Sequence, residues 1–426
     1  MLIILIKLLW SIAIVFLLLG GVYFSTKLNW PQLRINKIKK SLFKKNNSNI
    51  STIQNLTLSL AAKIGVGSIA GIAIAIYFGG PGSLFWMWIV CIIISINSYC
   101  ETFLGAIFQN KINNLYEGGP VYYIEKADNK KVLSKIYAIC VILTYILGFM
   151  TIQSNTVVIS FNNFISLNKC IIALILAIIS FISIKNGLFI ITKITSIIVP
   201  LIGIIYVSIS VFIFINNVDI IPKIFLTIIN NAFNVKSFGT GCITSFVIGI
   251  QRGVFCTESG IGTGAIASSS IKVKNITAYS IAQIIGVYFT IFIICSSTAL
   301  IILSSNYQKI NFNNLNGIEL VQYSINYHLG NIGNIILLIM IFLLAYSTIV
   351  AGYYYGESNL RYLAGKDKSK SFIVFKIITS VIIFVGGIVD ATILWNLVDL
   401  LISVLSIINM YSIFSLRNII LDNYEK

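Results

Sequence analysis

Apolar runs long enough to cross a bilayer recur along nearly the whole of this chain, and that pattern excludes most folds. A crossing helix needs ~20 predominantly apolar residues. Eleven such segments are read along the 426 residues, at about 2–24, 54–78, 83–109, 132–163, 170–185, 188–215, 237–265, 276–303, 332–356, 371–388 and 391–416. The connections are short and leave no room for a soluble domain. The expected architecture is a single all-α membrane domain, in keeping with 57% hydrophobic and 10% charged residues. The first run carries Lys7 and lacks a small-residue cleavage site. It is read as a retained helix and not a signal peptide.

A net charge of +17 raises the question of nucleic acid, and its placement answers it. Lys27, Arg34, Lys37, Lys39, Lys40, Lys44 and Lys45 crowd between the first two runs. With that connection inside and the rest alternating, most of the 30 basic residues fall on the inner side, which predicts N-terminus out and C-terminus in. No nucleic-acid partner is expected; the lipid bilayer is, with some of the basic excess touching anionic lipid. The seven cysteines lie within apolar runs without a CxxC pair and read as small buried hydrophobes. One histidine, His328, cannot build a metal centre. Neither a phosphate-binding loop nor a nucleophile–base set is visible, so no cofactor is expected and an enzyme is disfavoured.

Two segments break the apolar pattern. In the second run Gly65, Gly67 and Ser68 sit at mid-span beside Lys63. In the seventh, Gly249, Arg252 and Gly253 are followed by Glu258, Gly260, Gly262 and Gly264. Freed backbone is tolerated in lipid only where it lines a cavity or a site. Glycines that merely allow close helix crossing are the bland alternative. The two breaks start corresponding five-helix halves, which favours an inverted repeat with a midplane site between. The boundaries expected are 1–24 for a peripheral helix, 25–53 for a basic cytoplasmic linker, 54–215 for the first repeat and 237–416 for the second.

Several stretches in order then resemble the alanine or glycine:cation symporter family of the LeuT-type superfamily. They are Gly65 to Gly71, Gly79 to Trp88, Glu101, Glu117 to Glu125, Gln153 with Asn155, Arg252 to Gly262, Tyr353 to Glu357, and Trp395 to Asp399. The resemblance implies a 5+5 inverted-repeat core over the second to eleventh helices, taking up small neutral amino acids with sodium or sometimes protons.

Residue by residue, it implies the following. Backbone N–H groups of Gly65, Val66, Gly67 and Ser68 would meet a substrate carboxylate, as any exposed helix start attracts an anion. Gln153, Asn155, Gly249, Ile250, Thr348 and Gly352 would line the same site. A sodium ion, which prefers oxygen ligands, would take the Ser347 and Thr348 hydroxyls with carbonyls of Ala61, Ile64 and Leu344. On the residues alone, both hydroxyls would instead bond back to their own helix. Lys63, Glu101, Arg252, Glu258 and Asp399 are costly charges in lipid and usually pair. Arg252 and Glu258 are read as part of a cytoplasmic gate network with Glu101 or Asp399. Tyr353 to Tyr355 read as an interfacial belt, with gate packing as the alternative. Gly352 stands where the family has tryptophan, which predicts a roomier pocket.

The expectation is therefore a plasma-membrane symporter coupling a small neutral amino acid to sodium by alternating access. Two rivals stand beside it: a proton-coupled or sodium-independent carrier of the same fold, suggested by Lys63, and an amino-acid sensor with little transport.

Overall fold

The computed structural model describes residues 2–34, 52–112, 115–128, 130–184, 188–233, 241–272, 275–307, 317–365 and 369–424. Lys37 to Lys45 of the basic connection, and the start of the seventh run at 237–240, lie outside the described residues.

Helix α1 is Leu2–Lys27. The first broken segment follows as α2 (Thr52–Lys63), a 3-10 turn at Val66–Ser68, and α3 (Ala70–Gly79), bent by 51°. Gly80, in the left-handed region at φ 71°, and Pro81 turn the chain into α4 (Gly82–Ile107). A two-stranded antiparallel hairpin comes next, β1 (Asn110–Ile112) and β2 (Leu115–Glu117), with Lys111 opposite Tyr116. It is the one departure from the all-α expectation among the described residues. Arg361 ties it down by pairing with Glu117 at 2.8 Å.

The chain continues as α5 (Pro120–Asp128), α6 (Lys131–Ile165), α7 (Lys169–Ile184), α8 (Leu188–Asn216) and α9 (Ile221–Ala232). The second broken segment is α10 (Gly241–Thr257), a non-helical turn, and α11 (Thr263–Ser268). Then come α12 (Ile276–Leu303), α13 (Gly317–Ala364), α14 (Ser369–Ile388), α15 (Ala391–Ser415) and the short α16 (Arg417–Asp422). The Asn275 side chain caps α12, accepting from the Ala278 N–H at 2.7 Å, and Asp390 caps α15, accepting from Thr392 at 2.8 Å. Single-turn π segments interrupt α6 at Thr144–Phe149 and α12 at Phe289–Cys295. Such bulges mark functional sites more often than chance.

Among the described residues, eight helices are long and apolar enough to cross a membrane, or nine with the bent pair taken as one span. At the places expected for the fifth and seventh runs stand shorter apolar helices, Lys169–Ile184 and Cys242–Thr257. By length and composition alone, the expected eleven is not reached. The ninth run is far longer than expected, because α13 bends at Gly330 (φ 62°) and includes a helical stretch before it.

The α10 helix packs along α4, and α1 lies against α15 and α4. Polar side chains concentrate in the interior, where Gln153, Thr298, Ser347 and Asn409 are nearly or fully inaccessible. Leucines and isoleucines such as Leu5, Ile182 and Ile204 face outward.

Candidate functional site

The site is built from the first break. Lys63 is the last residue of α2, and Ile64 closes that helix by donating to the Leu60 carbonyl at 2.6 Å. Gly65 then runs extended. Two side chains close over it. A Cβ on Gly65 would lie 2.7 Å from Thr348 Oγ1 and 3.0 Å from Gln153 Nε2, so no larger residue fits without moving them. Thr348 Oγ1 donates to the Ala61 carbonyl at 2.8 Å. The Val66 N–H donates to Gln153 Oε1 at 3.0 Å. Ser68 donates through its backbone N–H to the Gly65 carbonyl at 3.2 Å and through its hydroxyl to the same oxygen at 2.8 Å. Of the N–H groups expected to await a carboxylate, Val66 and Ser68 are thus engaged within the chain.

On the far side of the loop, Thr298 of α12 donates to the Ser68 carbonyl at 2.9 Å, and Tyr206 of α8 shares a 2.7 Å hydrogen bond with Thr298. The sequence singles out neither residue: Thr298 ends a Ser296-Ser297-Thr298 run whose hydroxyls look like helix back-bonding, and Tyr206 is one of many aromatics in apolar helices. Phe255 of α10 lies directly against Gly67, in the space a Cβ would need. Phe149 stacks on Phe255 at 4.8 Å.

The remaining expectations divide. Ser347 Oγ donates to the Leu344 carbonyl of its own helix at 2.9 Å, the back-bonded arrangement. Asn155 is drawn away from the loop: its amide donates to the Val389 and Gly386 carbonyls at 2.7 and 3.3 Å, tying α6 to α14. Gly249 is a helix-crossing glycine, because a Cβ there would lie 2.5 Å from the Ser83 carbonyl of α4. Ile250 is fully buried. The space beside Gly352 is taken by Tyr145, whose ring would lie 2.8 Å from an added Cβ. The predicted roomier pocket is thus filled from α6. Tyr353, Tyr354 and Tyr355 are buried and not an interfacial belt, and Tyr355 packs edge-on to Tyr145 at 5.0 Å.

The expected single cytoplasmic gate network is two networks, and the one with Arg252 lies by the N-terminal end of α1, the side expected to be outside. In one, Arg252 pairs with Asp399, both buried, and its guanidinium lies 4.7 Å from the centre of the Trp395 ring. This pair borders a cavity of about 710 Å³, walled by α3, α10 and α15 and by Ile3, Ile6 and Lys7 of α1. In the other, Glu258 accepts from the Tyr145 hydroxyl at 2.6 Å and from Thr263 Oγ1 at 3.0 Å. Glu101 accepts from the Gly262 N–H at 2.9 Å and from Asn409 Nδ2 at 2.8 Å. Lys63 is 2% exposed, and its amine has no hydrogen-bond partner among the described residues. It sits by Gly264 and Gly286, within electrostatic reach of Glu258 and Glu101. His328 shares a 3.0 Å hydrogen bond with Ser304, away from both breaks.

Comparison with known proteins places the fold and the family. A solved Na+-coupled sialic acid symporter, in a substrate-bound outward-open state, aligns with a TM-score of 0.58 at 15% identity, over 96% of this chain and 87% of that one. This likeness is one of fold. The chain is a multi-pass membrane protein of the transporter class. It belongs to the sodium:alanine symporter family, whose model matches residues 1–426. It is similar to the probable sodium/glutamine symporter GlnT of Bacillus subtilis, with 34% identity over 97% of this chain and 87% of the relative. The sodium/alanine symporter AgcS of Methanococcus maripaludis is 29% identical over 97% of this chain and 93% of that relative.

Proposed function

We propose that this protein takes up a small neutral amino acid together with sodium by alternating access. The observation that carries the reading is the unwound Ile64–Ile69 segment, closed over by the Thr348 hydroxyl and the Gln153 amide. Its backbone N–H groups suit a carboxylate. An arriving carboxylate would compete with Gln153 for the Val66 N–H.

Sodium fits the neighbouring oxygens. The Thr348 hydroxyl and the Ala61 carbonyl already face each other at 2.8 Å across two helices. A hard cation between them would take lone pairs from both, joined by the Ile64 and Leu344 carbonyls and Ser347 Oγ. The Lys63 amine lies by Gly264 and Gly286 and makes no hydrogen bond to either oxygen, which favours sodium over a resident ammonium there. The relatives' names, sodium/glutamine and sodium/alanine symporter, support an amino acid of alanine to glutamine size. Two inverted five-helix repeats, 54–215 and 237–416, are the arrangement we assign to the core. The basic distribution supports a cell-membrane orientation with the N-terminus out.

The experiment is counterflow of labelled alanine and glutamine in liposomes holding the purified chain, with sodium or potassium outside. Sodium-dependent exchange of one of them is expected. Exchange of equal rate in potassium would overturn the sodium coupling, and no exchange of any neutral amino acid would overturn the carrier reading.

A further inference from the structure

The first helix, expected to be peripheral, reaches the second break. The turn from Glu258 to Gly262 contains three residues in the left-handed region: Glu258 at φ 55°, Gly260 at 93° and Gly262 at 89°. Leu17 of α1 is fully buried, and its Cδ2 occupies the place that a Cβ on Gly260 would need. Asn97 of α4 fastens this contact. Its amide donates to the Leu17 carbonyl at 3.1 Å and lies 3.7 Å from the same Cβ position on Gly260.

Helices in lipid gain little from apolar burial against one another, so their association rests on close packing of small residues. The α1 helix has that feature at the right height. Gly20 lies against Met410 of α15, and a Cβ on Gly21 would come within 2.7 Å of the Ile93 carbonyl of α4. One turn further, Phe24 meets Phe414 at 5.7 Å. The opposite face, with Leu5, Leu8, Val15 and Leu19, is exposed.

From Leu17 a chain of contacts leads to the first break. The turn carries Glu258, which accepts from Tyr145 at 2.6 Å. Tyr145 stacks on Phe149 at 4.9 Å, Phe149 on Phe255 at 4.8 Å, and Phe255 lies on Gly67. We infer that Leu17 is a positioning residue: it seats the Glu258–Gly262 turn, and through Phe255 the turn sets substrate affinity at Gly65–Ser68. The inference rests on the carrier reading above. It differs from a plain structural role for α1, which would alter the amount of inserted protein and leave its affinity alone.

The test compares the full chain with Leu17→Ala and Leu17→Met in liposomes, by alanine uptake and by hydrogen exchange. In Leu17→Ala the KM for alanine rises by about tenfold while Vmax per inserted molecule stays within about twofold. Amide exchange of 258–264 quickens, and Leu17→Met restores both. A KM equal to the parent's, or a fall in Vmax alone, overturns the inference. Should Leu17→Ala fail to insert, Leu17→Val is read by the same two criteria. Absence of counterflow in the parent would sink the carrier reading separately. The exchange data would then decide alone, with unchanged exchange in 258–264 overturning the role of Leu17.

Discussion

The two breaks solve the same problem with different materials. Each frees backbone groups inside a bundle that offers no bulk water. The first, Ile64–Ile69, is held by neutral groups: the Thr348 and Thr298 hydroxyls, the Gln153 amide and the Ser68 hydroxyl. The second, Glu258–Gly262, is pinned from several sides. Ser259 Oγ donates to the Ile94 carbonyl at 3.0 Å, Tyr137 to the Ile261 carbonyl at 2.5 Å, Asn409 to the Gly260 carbonyl at 3.0 Å, and Glu101 accepts from Gly262. A non-glycine residue in the left-handed region costs ~1–3 kcal/mol and persists only where its surroundings over-determine it. Glu258 is such a residue, with both carboxylate oxygens engaged. The difference teaches a division of labour. The first loop rests on a few neutral hydrogen bonds, as the proposed ligand-trading role would need, whereas the second adds two buried glutamates to a larger set of neutral bonds and is held on more sides.

The largest expected effect comes from filling the first break. Gly67→Val places a side chain where Phe255 already lies. Overpacking of this kind costs ~1–3 kcal/mol, which as a barrier is up to roughly 100-fold in rate. Uptake should fall by that order while the protein still inserts, and Phe255→Ala in the same chain should restore part of it. Failure of the double variant to recover any uptake would mean that the Phe255 contact is not what limits the loop.

Next is Asn409→Leu, aimed at the second break. It strips one donor from Glu101 and leaves the Gly260 carbonyl without its partner. Each buried orphan costs ~1–3 kcal/mol. Thermal unfolding in detergent should shift down accordingly, with the sodium concentration for half-maximal uptake unchanged. A shift in sodium dependence as large as that of the next variant would erase the distinction between the breaks.

Thr348→Val returns to the first break. It keeps the shape and removes the hydroxyl that reaches the Ala61 carbonyl. A lost ligand of this type is worth ~1–1.5 kcal/mol, so the half-saturating sodium concentration should rise by about tenfold. Equal sodium dependence in parent and variant would remove Thr348 from the ion site.

Much of this was legible in the residues. Glycines and serine clustered at mid-span beside Lys63, with a second cluster five helices on, betrayed the first break; a lone glycine such as Gly249 marks only a helix crossing. The glycine and glutamate spacing betrayed the second. What stayed hidden depends on which helix faces which. Asn155 and Gln153 are two positions apart, and only the helix rotation sends Gln153 to Val66 and Asn155 to the α14 backbone. Gly352 looked like an opening because a missing side chain says nothing about the neighbour that fills it, here Tyr145. Arg252 and Glu258 are six residues apart, yet Arg252 lies within α10 and meets Asp399, whereas Glu258 opens the turn that follows and meets Tyr145. The α1 helix has an unremarkable apolar composition, so its contact with Gly260 has no sequence signal beyond the Gly20–Gly21 pair.

The smallest expected effect separates two adjacent hydroxyls. Ser347 and Thr348 look equivalent in sequence as sodium ligands. In the structure Thr348 crosses to Ala61, whereas Ser347 donates to Leu344, three residues back on its own helix. Bringing Ser347 Oγ to an ion requires breaking or sharing that local bond, and net gains from such exchanges are ~0.5–1.5 kcal/mol before the loss is subtracted. Ser347→Ala should therefore raise the half-saturating sodium concentration by less than about threefold, well short of Thr348→Val. The Ser347→Ala/Thr348→Val pair then reads their coupling. If the double variant equals the product of the single effects, the hydroxyls act independently. If Ser347→Ala alone matches Thr348→Val, Ser347 rotates onto the ion during transport, and its bond to Leu344 belongs to only one state of the cycle.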